Sequence, residues 1–257
     1  MKILAVGDIV GTSGINELKT RLNEIREKEN IDFVIVNAEN SADGFGITEK
    51  NFKDIISENV DVITMGNHTW GKRDIFAFID DPKLIRPANY PKGVLGKGYN
   101  IYSCKDKKIA VINLLGRAEI NVLTENPFLT AKKIVDEIKN KVDMIFVDFH
   151  AEATGEKIPM GYYLDGKVTA VYGTHTHVQT ADEKILPKGT AYITDIGMTG
   201  PKYGVLGMDI NVAIKRLTTT LPEKYKIATG ACMLNGVIFE VDNETSKVIN
   251  ITRLNIE

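Results

Sequence analysis

Residues 2–40 read KILAVGDIVGTSGINELKTRLNEIREKENIDFVIVNAEN, and this stretch decides the fold. Residues 2–6 and 33–36 are short apolar runs of the kind that form buried strands. Between them, residues 15–29 carry apolar side chains at roughly helical spacing, which predicts an amphipathic helix. Polar groups follow both strands at once, Asp8 after the first and the segment NAEN after the second. The stretch therefore predicts a strand–helix–strand unit with acidic groups at the strand ends.

The same alternation continues along the chain and then gives way to strands. Further helices are predicted over residues 48–58, 71–80, 130–140 and 207–217. Further strands are predicted over residues 60–65, 109–115, 143–148, 167–172, 190–194, 232–241 and 247–254. This order predicts an α/β protein in which two sheets pack as a sandwich with helices outside. The length of 257 residues fits one such domain covering residues 1–257.

Composition and charge narrow the classes of function. The hydrophobic content of 43% and the charged content of 26% are typical of a globular protein with a full core. The formal net charge of -2 argues against stable nucleic-acid binding, and no apolar run is long enough to cross a bilayer. The two cysteines, Cys104 and Cys232, are not spaced like metal ligands. We therefore expect a cytoplasmic protein that acts on a small ligand, as a monomer or a homo-oligomer.

All four histidines of the chain lie directly after predicted strands. His68 belongs to the motif GNH, His150 ends the motif DFH, and His175 and His177 lie in GTHTH. A single His-x-His pair is weak evidence of metal binding. Here, however, five separate motifs at strand ends together contain every histidine of the chain, which favours a metal site.

The candidate metal ligands are expected to converge, because the carboxyl ends of strands in α/β proteins border a shared crevice. They are Asp8, Glu39, Asn40, Asn67, His150, His175 and His177. This set is too large for one tetrahedral zinc and lacks the thiolates of structural zinc sites. It suits two divalent cations about 3.5–4 Å apart, bridged by a carboxylate and a water. Nitrogen and oxygen ligands are compatible with iron, manganese or zinc.

The order of the motifs GD, NAEN, GNH, H and GTHTH resembles that of calcineurin-like metallophosphoesterases. Longer segments resemble the YmdB-like branch of that superfamily over essentially the whole chain. These segments are VGDIVG, NAENSADGFGIT, MGNHTW, RPANYP, FVDFHAEATGEK, AVYGTHTHVQTAD and DIGMTGP. The resemblance implies the four-layer α/β/β/α metallophosphoesterase fold and two bound divalent metals, with iron as the first expectation.

The chain departs from the wider superfamily at two positions. Val10 stands where the common Asp-x-His motif has its histidine, and the resemblance implies that Asn40 replaces it. Thr69 stands where many relatives have an acidic residue that orients the preceding histidine. The sequence therefore leaves open what orients His68.

The resemblance also implies a role for each ligand. Glu39 would bridge both metals; Asp8, Asn40 and His177 would complete one, and Asn67, His150 and His175 the other. The implied activity is that of a hydrolase acting on cyclic nucleotides, both 2′,3′-cyclic and 3′,5′-cyclic AMP. A metal-bridged hydroxide would attack phosphorus while His68 donates a proton to the leaving oxygen. Polar residues that could contact the phosphate or the nucleoside are Asn89, Arg117 and Lys157.

Two other functions stay open on the sequence. A phosphomonoesterase or nucleotidase could use the same scaffold and metals. A regulatory or RNA-associated protein could instead bind nucleotides in the pocket without turnover, although pure binding does not require a proton donor such as His68.

Overall fold

Two β-sheets and five α-helices make up the structure, a computed structural model that describes all 257 residues. The α-helices are α1 (Gly11–Glu29), α2 (Glu49–Ile56), α3 (Pro127–Ile138), α4 (Thr154–Leu164) and α5 (Ile210–Thr219), and a 3₁₀ helix covers Arg73–Ala77. The strands are β1 (Lys2–Val6), β2 (Asp8–Ile9), β3 (Phe33–Asn37), β4 (Val62–Thr64), β5 (Leu84–Ile85), β6 (Tyr99–Cys104), β7 (Lys107–Leu115), β8 (Met144–His150), β9 (Ala170–Thr174), β10 (Lys184–Ile185), β11 (Ala191–Ile193), β12 (Met198–Pro201), β13 (Cys232–Val241) and β14 (Val248–Ile256). None of the helices is both long and apolar enough to span a membrane.

Both sheets contain a parallel core, and this core places the strand ends. In the first sheet the order is β2-β12-β13-β1-β3-β4-β5, and β14 pairs with β13. Strands β1, β3, β4 and β5 run parallel there. In the second sheet the order is β10-β11-β9-β8-β7-β6, with β7, β8, β9 and β11 parallel. Each sheet therefore presents the carboxyl ends of several neighbouring strands along one edge.

Three apolar clusters separate four layers. Between the sheets, Phe146 of the second sheet packs against Phe239 of the first, with ring centroids 5.6 Å apart. On the outer face of the first sheet, Leu4 and Val34 share a cluster with Leu18 of α1. The third cluster joins the outer face of the second sheet to α3 and α4. Because the parallel strands are covered on both faces, they are apolar along nearly their whole length. The predicted two-sheet sandwich with helices outside is thus confirmed.

Several local elements differ from the predictions, including strands β2, β5, β6, β10 and β12, which were not predicted. The helix expected over residues 71–80 is only the short 3₁₀ helix at Arg73–Ala77. Helix α4 was not predicted, because Gly155 and Pro159 lie inside it and its N-cap residue Ala153 offers no side-chain hydrogen bond. Glycine and proline are the residues least favourable to a helix interior, so packing against the second sheet must stabilise this helix.

Candidate metal centre

The candidate ligands lie where strands of both sheets end. Asp8 follows β1, the segment 39–40 follows β3, and Asn67 follows β4 in the first sheet. In the second sheet, His150 is the last residue of β8, and the segment 175–177 follows β9. Parallel strands thus bring residues far apart in sequence to one end of the sandwich, as the crevice rule for α/β proteins predicts.

One group of ligand atoms surrounds the ring of His150. Its Nε2 lies 3.1 Å from Glu39 Oε1, 3.0 Å from Asn67 Oδ1 and 3.0 Å from His175 Nδ1. Ligand atoms of Glu39, His150 and His175 all lie within 4.8 Å of one another. A Cβ on Gly66 would lie 2.4 Å from both Glu39 Oε2 and His150 Nε2, so only glycine fits at the start of the GNH motif.

A second group of candidate ligands contacts the same carboxylate oxygen of Glu39. Asn40 Nδ2 is 3.1 Å from Glu39 Oε1 and 3.1 Å from His177 Nε2. His177 Nε2 is in turn 3.8 Å from Asp8 Oδ1. The structure therefore brings together all seven side chains that the sequence singled out as ligands, in two groups that share Glu39.

The donor set fits divalent cations on two structural grounds. Asp8 is fully buried, and its Oδ1 has no hydrogen-bond partner, which is costly for a carboxylate unless a cation lies beside it. The Nδ1 atoms of His150 and His177 contact Thr174 Oγ1 and the Leu206 carbonyl oxygen, at 2.9 and 3.0 Å. Each ring thereby keeps its Nε2 directed into the site, the arrangement that orients histidine ligands of metals.

Burial and neighbouring charges shift the pKa values of the candidate ligands in both directions. Burial alone would raise the pKa of Glu39, but the charges of His150 and His68 outweigh it and hold that pKa well below its usual value. Burial raises the pKa of Asp8, against the opposing charges of His177 and His150. Burial would lower the pKa of His150, but the Glu39 and Asp8 carboxylates raise it to about 9. Burial and the charge of His150 together lower the pKa of His175 to about 3.

A buried polar network behind the site holds His150 in place. Thr174 Oγ1, which contacts His150 Nδ1, donates to Asp148 Oδ1 at 2.7 Å. The other carboxylate oxygen of Asp148 accepts hydrogen bonds from Thr64 Oγ1 and Asn37 Nδ2. Burial raises the pKa of Asp148 to about 6, even though His150 and both threonine hydroxyls oppose the rise. Asp148 thus acts on His150 through Thr174, as a positioning residue.

Replacing Asp148 with asparagine is therefore expected to weaken metal binding. An amide cannot accept from all three donors, so Thr174 loses its anchor, and loss of such a partner typically lowers metal affinity about 10–100-fold. Metal affinity measured by competition with a coloured chelator would check this. Asp143→Asn is the matched control, because Asp143 precedes the opposite end of β8 and accepts from the Lys108 backbone amide. Equal affinities for the two variants would contradict the positioning role.

His68 lies at the mouth of the site and is oriented by Asn40. Its Nδ1 lies 2.9 Å from Asn40 Oδ1, and its backbone amide donates to Glu39 Oε2 at 2.9 Å. The ring packs against Phe45, with centroids 4.5 Å apart. Thr69 takes no part, because its hydroxyl donates to the carbonyl oxygen of Gly66 at 2.6 Å. The imidazole is thus held at Nδ1, which leaves Nε2 for a ligand.

The His-x-His segment is a turn rather than a strand. Strand β9 ends at Thr174, and His175 and His177 have φ angles of 100° and 64°. Such angles are uncommon for residues with a side chain, and they occur often at functional sites where the surroundings enforce them. One restraint is visible: the backbone amide of His175 donates to Asp8 Oδ2 at 3.1 Å.

Lys157 belongs to the support of this turn. Its Nζ donates to Asp195 Oδ2 at 2.7 Å, and both groups are almost fully buried. The same Asp195 oxygen accepts from the amide and the hydroxyl of Thr176, at 3.1 and 2.7 Å. The position of Lys157 is therefore explained by a buried ion pair beneath the His-x-His turn, and the lysine does not line the cavity in front of the metal centre.

Asn89 and Arg117 also lie away from that cavity. Asn89 is fully buried and exchanges two 2.8 Å hydrogen bonds with the backbone of Leu115, so its amide has no free group for a phosphate. Arg117 is exposed, and its backbone amide donates to the Glu156 carboxylate. The structure thus brings the seven candidate ligands and His68 together, but none of the three predicted substrate contacts.

The cavity in front of the ligands has a volume of about 440 Å³, within the range of small-molecule sites. Its walls include three residues that were not predicted from the sequence, Glu152, Arg216 and Tyr225. Glu152 Oε2 lies 3.2 Å from His175 Nε2, and its place two residues after His150 was the only signal available. Arg216 and Tyr225 belong to a region without strand-end motifs, so no sequence pattern marked them.

Comparisons with known proteins agree with this architecture. The family described as YmdB-like protein matches residues 4–254. A protein of Bacillus subtilis (strain 168) named 2′,3′-cyclic-nucleotide 2′-phosphodiesterase is 50% identical over 99% of this chain and 96% of its own. Two solved structures each superpose with a TM-score of 0.94. A novel phosphatase from Mycoplasma pneumoniae is 38% identical, covering 100% of this chain and 93% of its own, and a hypothetical protein from Thermus thermophilus is 32% identical, covering 99% and 98%.

Proposed function

The chain belongs to the YmdB-like protein family, and we propose that it hydrolyses 2′,3′-cyclic nucleotides with two bound divalent cations. The phosphodiesterase class predicted from the sequence is confirmed, whereas the substrate and the mechanism are the proposal. The observation that carries the proposal is the shared carboxylate of Glu39, whose Oε1 lies 3.1 Å from both His150 Nε2 and Asn40 Nδ2, one residue from each ligand group. His68 stands beside this carboxylate at the cavity mouth.

The two groups of side chains would each hold one cation. Asp8, Asn40 and His177 would hold the first, Asn67, His150 and His175 the second, and Glu39 would contact both. When bound, such a pair supplies a water of lowered pKa and neutralises charge on the phosphoryl oxygens. The protein contributes fixed ligand directions, through the anchored Nδ1 atoms of His150 and His177.

His68 is proposed to donate the proton that the leaving oxygen needs. Opening a 2′,3′-cyclic phosphate at its 2′ bond adds water across the P–O2′ bond, so the 2′ oxygen must gain a proton. Imidazole exchanges protons near neutral pH, and general acids typically contribute about 10²–10⁴-fold in rate. The contact of His68 Nδ1 with Asn40 Oδ1 leaves Nε2 directed away from the ligands and available for this transfer.

Turnover of 2′,3′-cyclic AMP before and after metal removal tests this proposal. We expect conversion to 3′-AMP, loss of turnover after treatment with a chelator, and recovery on addition of ferrous iron or manganese. The control is the circular dichroism of the chelated protein, which shows whether the fold survives metal removal. Undiminished turnover in protein shown by elemental analysis to contain no metal would overturn the metal-dependent mechanism.

Two observations favour a phosphomonoesterase as the second candidate function. The M. pneumoniae relative is described as a phosphatase, and the seven ligands place no restriction on how many esters the phosphate carries. A faster reaction with p-nitrophenyl phosphate than with bis-p-nitrophenyl phosphate would favour a phosphomonoesterase. Tight nucleotide binding without any turnover would instead favour the regulatory function. Iron as the native metal, activity on 3′,5′-cyclic AMP, the cytoplasmic location and a homo-oligomer stay predictions.

A further inference from the structure

The cavity in front of the metal centre has two chemically different halves. The polar half is formed by the metal centre itself together with His68 and Glu152. The other half is mainly apolar, and we call it the apolar wall. It consists of Gly44, Val205, Leu206, Met208, Ala213, Leu217 and Tyr225, with Arg216 as its one charged residue. The proposed chemistry at phosphorus uses only the polar half, so hydrolysis alone gives the apolar wall no role.

The apolar wall is built into the same framework as the ligands. The Leu206 carbonyl oxygen, which contacts His177 Nδ1, belongs to a tight turn closed by hydrogen bonds between Val205 and Met208. Strand-like pairing also joins Met208 to Ile227. These contacts fix the residues around the turn at a constant distance from the metal ligands. The wall is therefore a continuation of the site and not a separate surface feature.

Tyr225 is the aromatic element of this wall. One edge of its ring lies against Gly44, where a Cβ would come within 2.5 Å of Tyr225 Cε1. The backbone amide of Gly44 donates at 3.0 Å to the carbonyl oxygen of Asn40, one of the candidate ligands. The Tyr225 hydroxyl makes no hydrogen bond, although the residue is half-buried. The Tyr225 ring, whose hydroxyl has no partner, is thus connected to the metal centre through the hydrogen bond between Gly44 and Asn40.

The remaining groups of the wall indicate the size and charge of its ligand. Leu217 is 80% exposed and Leu206 49% exposed, so apolar surface stays open to solvent at the cavity mouth. Exposed apolar surface beside a polar site commonly marks a ligand-binding area. Arg216 makes no ion pair, and it is the only arginine or lysine of the cavity lining. A single such cation suits one nucleoside better than a nucleic-acid strand, whose binding requires several phosphate contacts.

We propose that the apolar wall is the nucleobase subsite, in which Tyr225 stacks on the base of the cyclic nucleotide. This inference rests on the proposed function, because it requires the phosphate to occupy the metal centre. Every nucleobase has a planar π-face that can stack on an aromatic ring, whichever base it is. The Arg216 guanidinium can stack on the same base or donate to its polar edge. Leu206 and Leu217 cover the remaining faces of the base with apolar contacts.

The subsite is tested by removing the Tyr225 ring and comparing turnover of a substrate that has a base with turnover of a substrate that has none. The probes are 2′,3′-cyclic AMP and glycerol 1,2-cyclic phosphate, which has the same five-membered cyclic diester but no base. We expect Tyr225→Ala to lower kcat/KM for the nucleotide about 5- to 150-fold, the range of one lost stacking contact. For the glycerol ester kcat/KM should stay unchanged. Tyr225→Phe keeps the ring and should resemble the wild type.

A second variant protects the test against misfolding of Tyr225→Ala. Leu217 is largely exposed on α5, so Leu217→Ala should fold normally and lower nucleotide turnover alone, roughly fourfold for the lost apolar contact. Leu129→Ala is its matched control, since Leu129 is 64% exposed on α3 and does not line the cavity. Equal losses for both probes, or no loss for the nucleotide in either variant, would overturn the base subsite.

Failure of the proposed function would give a different result in the same experiment. In that case the wild-type protein would open neither cyclic diester. The subsite is then still decided by calorimetric binding of 3′-AMP and of inorganic phosphate to the metal-loaded protein. Weaker binding of 3′-AMP to Tyr225→Ala with unchanged phosphate binding supports the subsite, and unchanged binding of both rejects it.

Discussion

Replacement of Glu39 with alanine is expected to release both metal ions and to abolish turnover. The Glu39 carboxylate is completely buried and contacts His150, Asn40 and His68, so its removal opens a gap at the centre of the ligand set. No neighbouring side chain can fill that gap, since the only other carboxylate among the candidate ligands, Asp8, follows a different strand. Elemental analysis of protein purified without chelator should find less than one metal ion per chain.

The charge and the shape of Glu39 can be separated with a second variant. Glu39→Gln keeps an oxygen donor in nearly the same place but removes the negative charge, and we expect weakened binding of both ions. Glu49→Ala is the matched control, because Glu49 forms only an exposed ion pair with Lys53 on α2. Retention of one ion at full occupancy in Glu39→Ala would show that the bridging role is misassigned.

The placement of the candidate ligands could be predicted because it depends on topology. Apolar runs such as residues 2–6 and 33–36 identify strands, and polar groups directly after them must lie at the carboxyl edge of a sheet. In the structure, Asp8 and Glu39 follow the neighbouring parallel strands β1 and β3. His150 is the last residue of β8, a central strand of the other sheet. The positions of residues at the ends of strands can therefore be predicted without knowing the conformation of the loops.

The sequence could not tell which polar side chains line the cavity, because polarity alone does not tell where a side chain points. Asn89 and Lys157 are residue types that often bind phosphates or nucleosides. Their polar groups, however, form hydrogen bonds with the Leu115 backbone and with Asp195. Buried polar groups require such partners, and the partners are distant in sequence. Arg216 lines the cavity from helix α5 and Tyr225 from the irregular segment that follows it, and neither stretch of sequence carries a strand-end motif.

The orientation of His68 shows how one substitution can be compensated by another. Thr69 has no carboxylate that could orient the preceding histidine, and its hydroxyl donates to the backbone carbonyl oxygen of Gly66 instead. The contact to Nδ1 comes from Asn40, the same residue that the resemblance places in the position of a missing histidine ligand. One asparagine thus stands within reach of both the metal centre and the proposed proton donor. This coupling could not be read from the sequence, because residues 40 and 68 follow different strands.

Replacement of His68 with alanine is expected to leave both metals in place and to lower kcat for 2′,3′-cyclic AMP about 10²–10⁴-fold, the usual contribution of a general acid. His68 is not among the proposed ligands, and its backbone amide, which donates to Glu39, remains in the variant. Metal content and kcat measured on the same preparation separate a catalytic role from a structural one. Loss of metal in proportion to activity would assign His68 to the support of the metal centre.

The leaving group offers an internal control for the same variant. A p-nitrophenolate departs readily without a proton, whereas the 2′ alkoxide of a ribose does not. His68→Ala should therefore slow hydrolysis of bis-p-nitrophenyl phosphate much less than that of 2′,3′-cyclic AMP. A structural defect would instead slow both substrates equally, since both need the same metals. Because Asn40 holds His68 at Nδ1, Asn40→Ala should lower metal binding and also slow hydrolysis of 2′,3′-cyclic AMP more than that of bis-p-nitrophenyl phosphate.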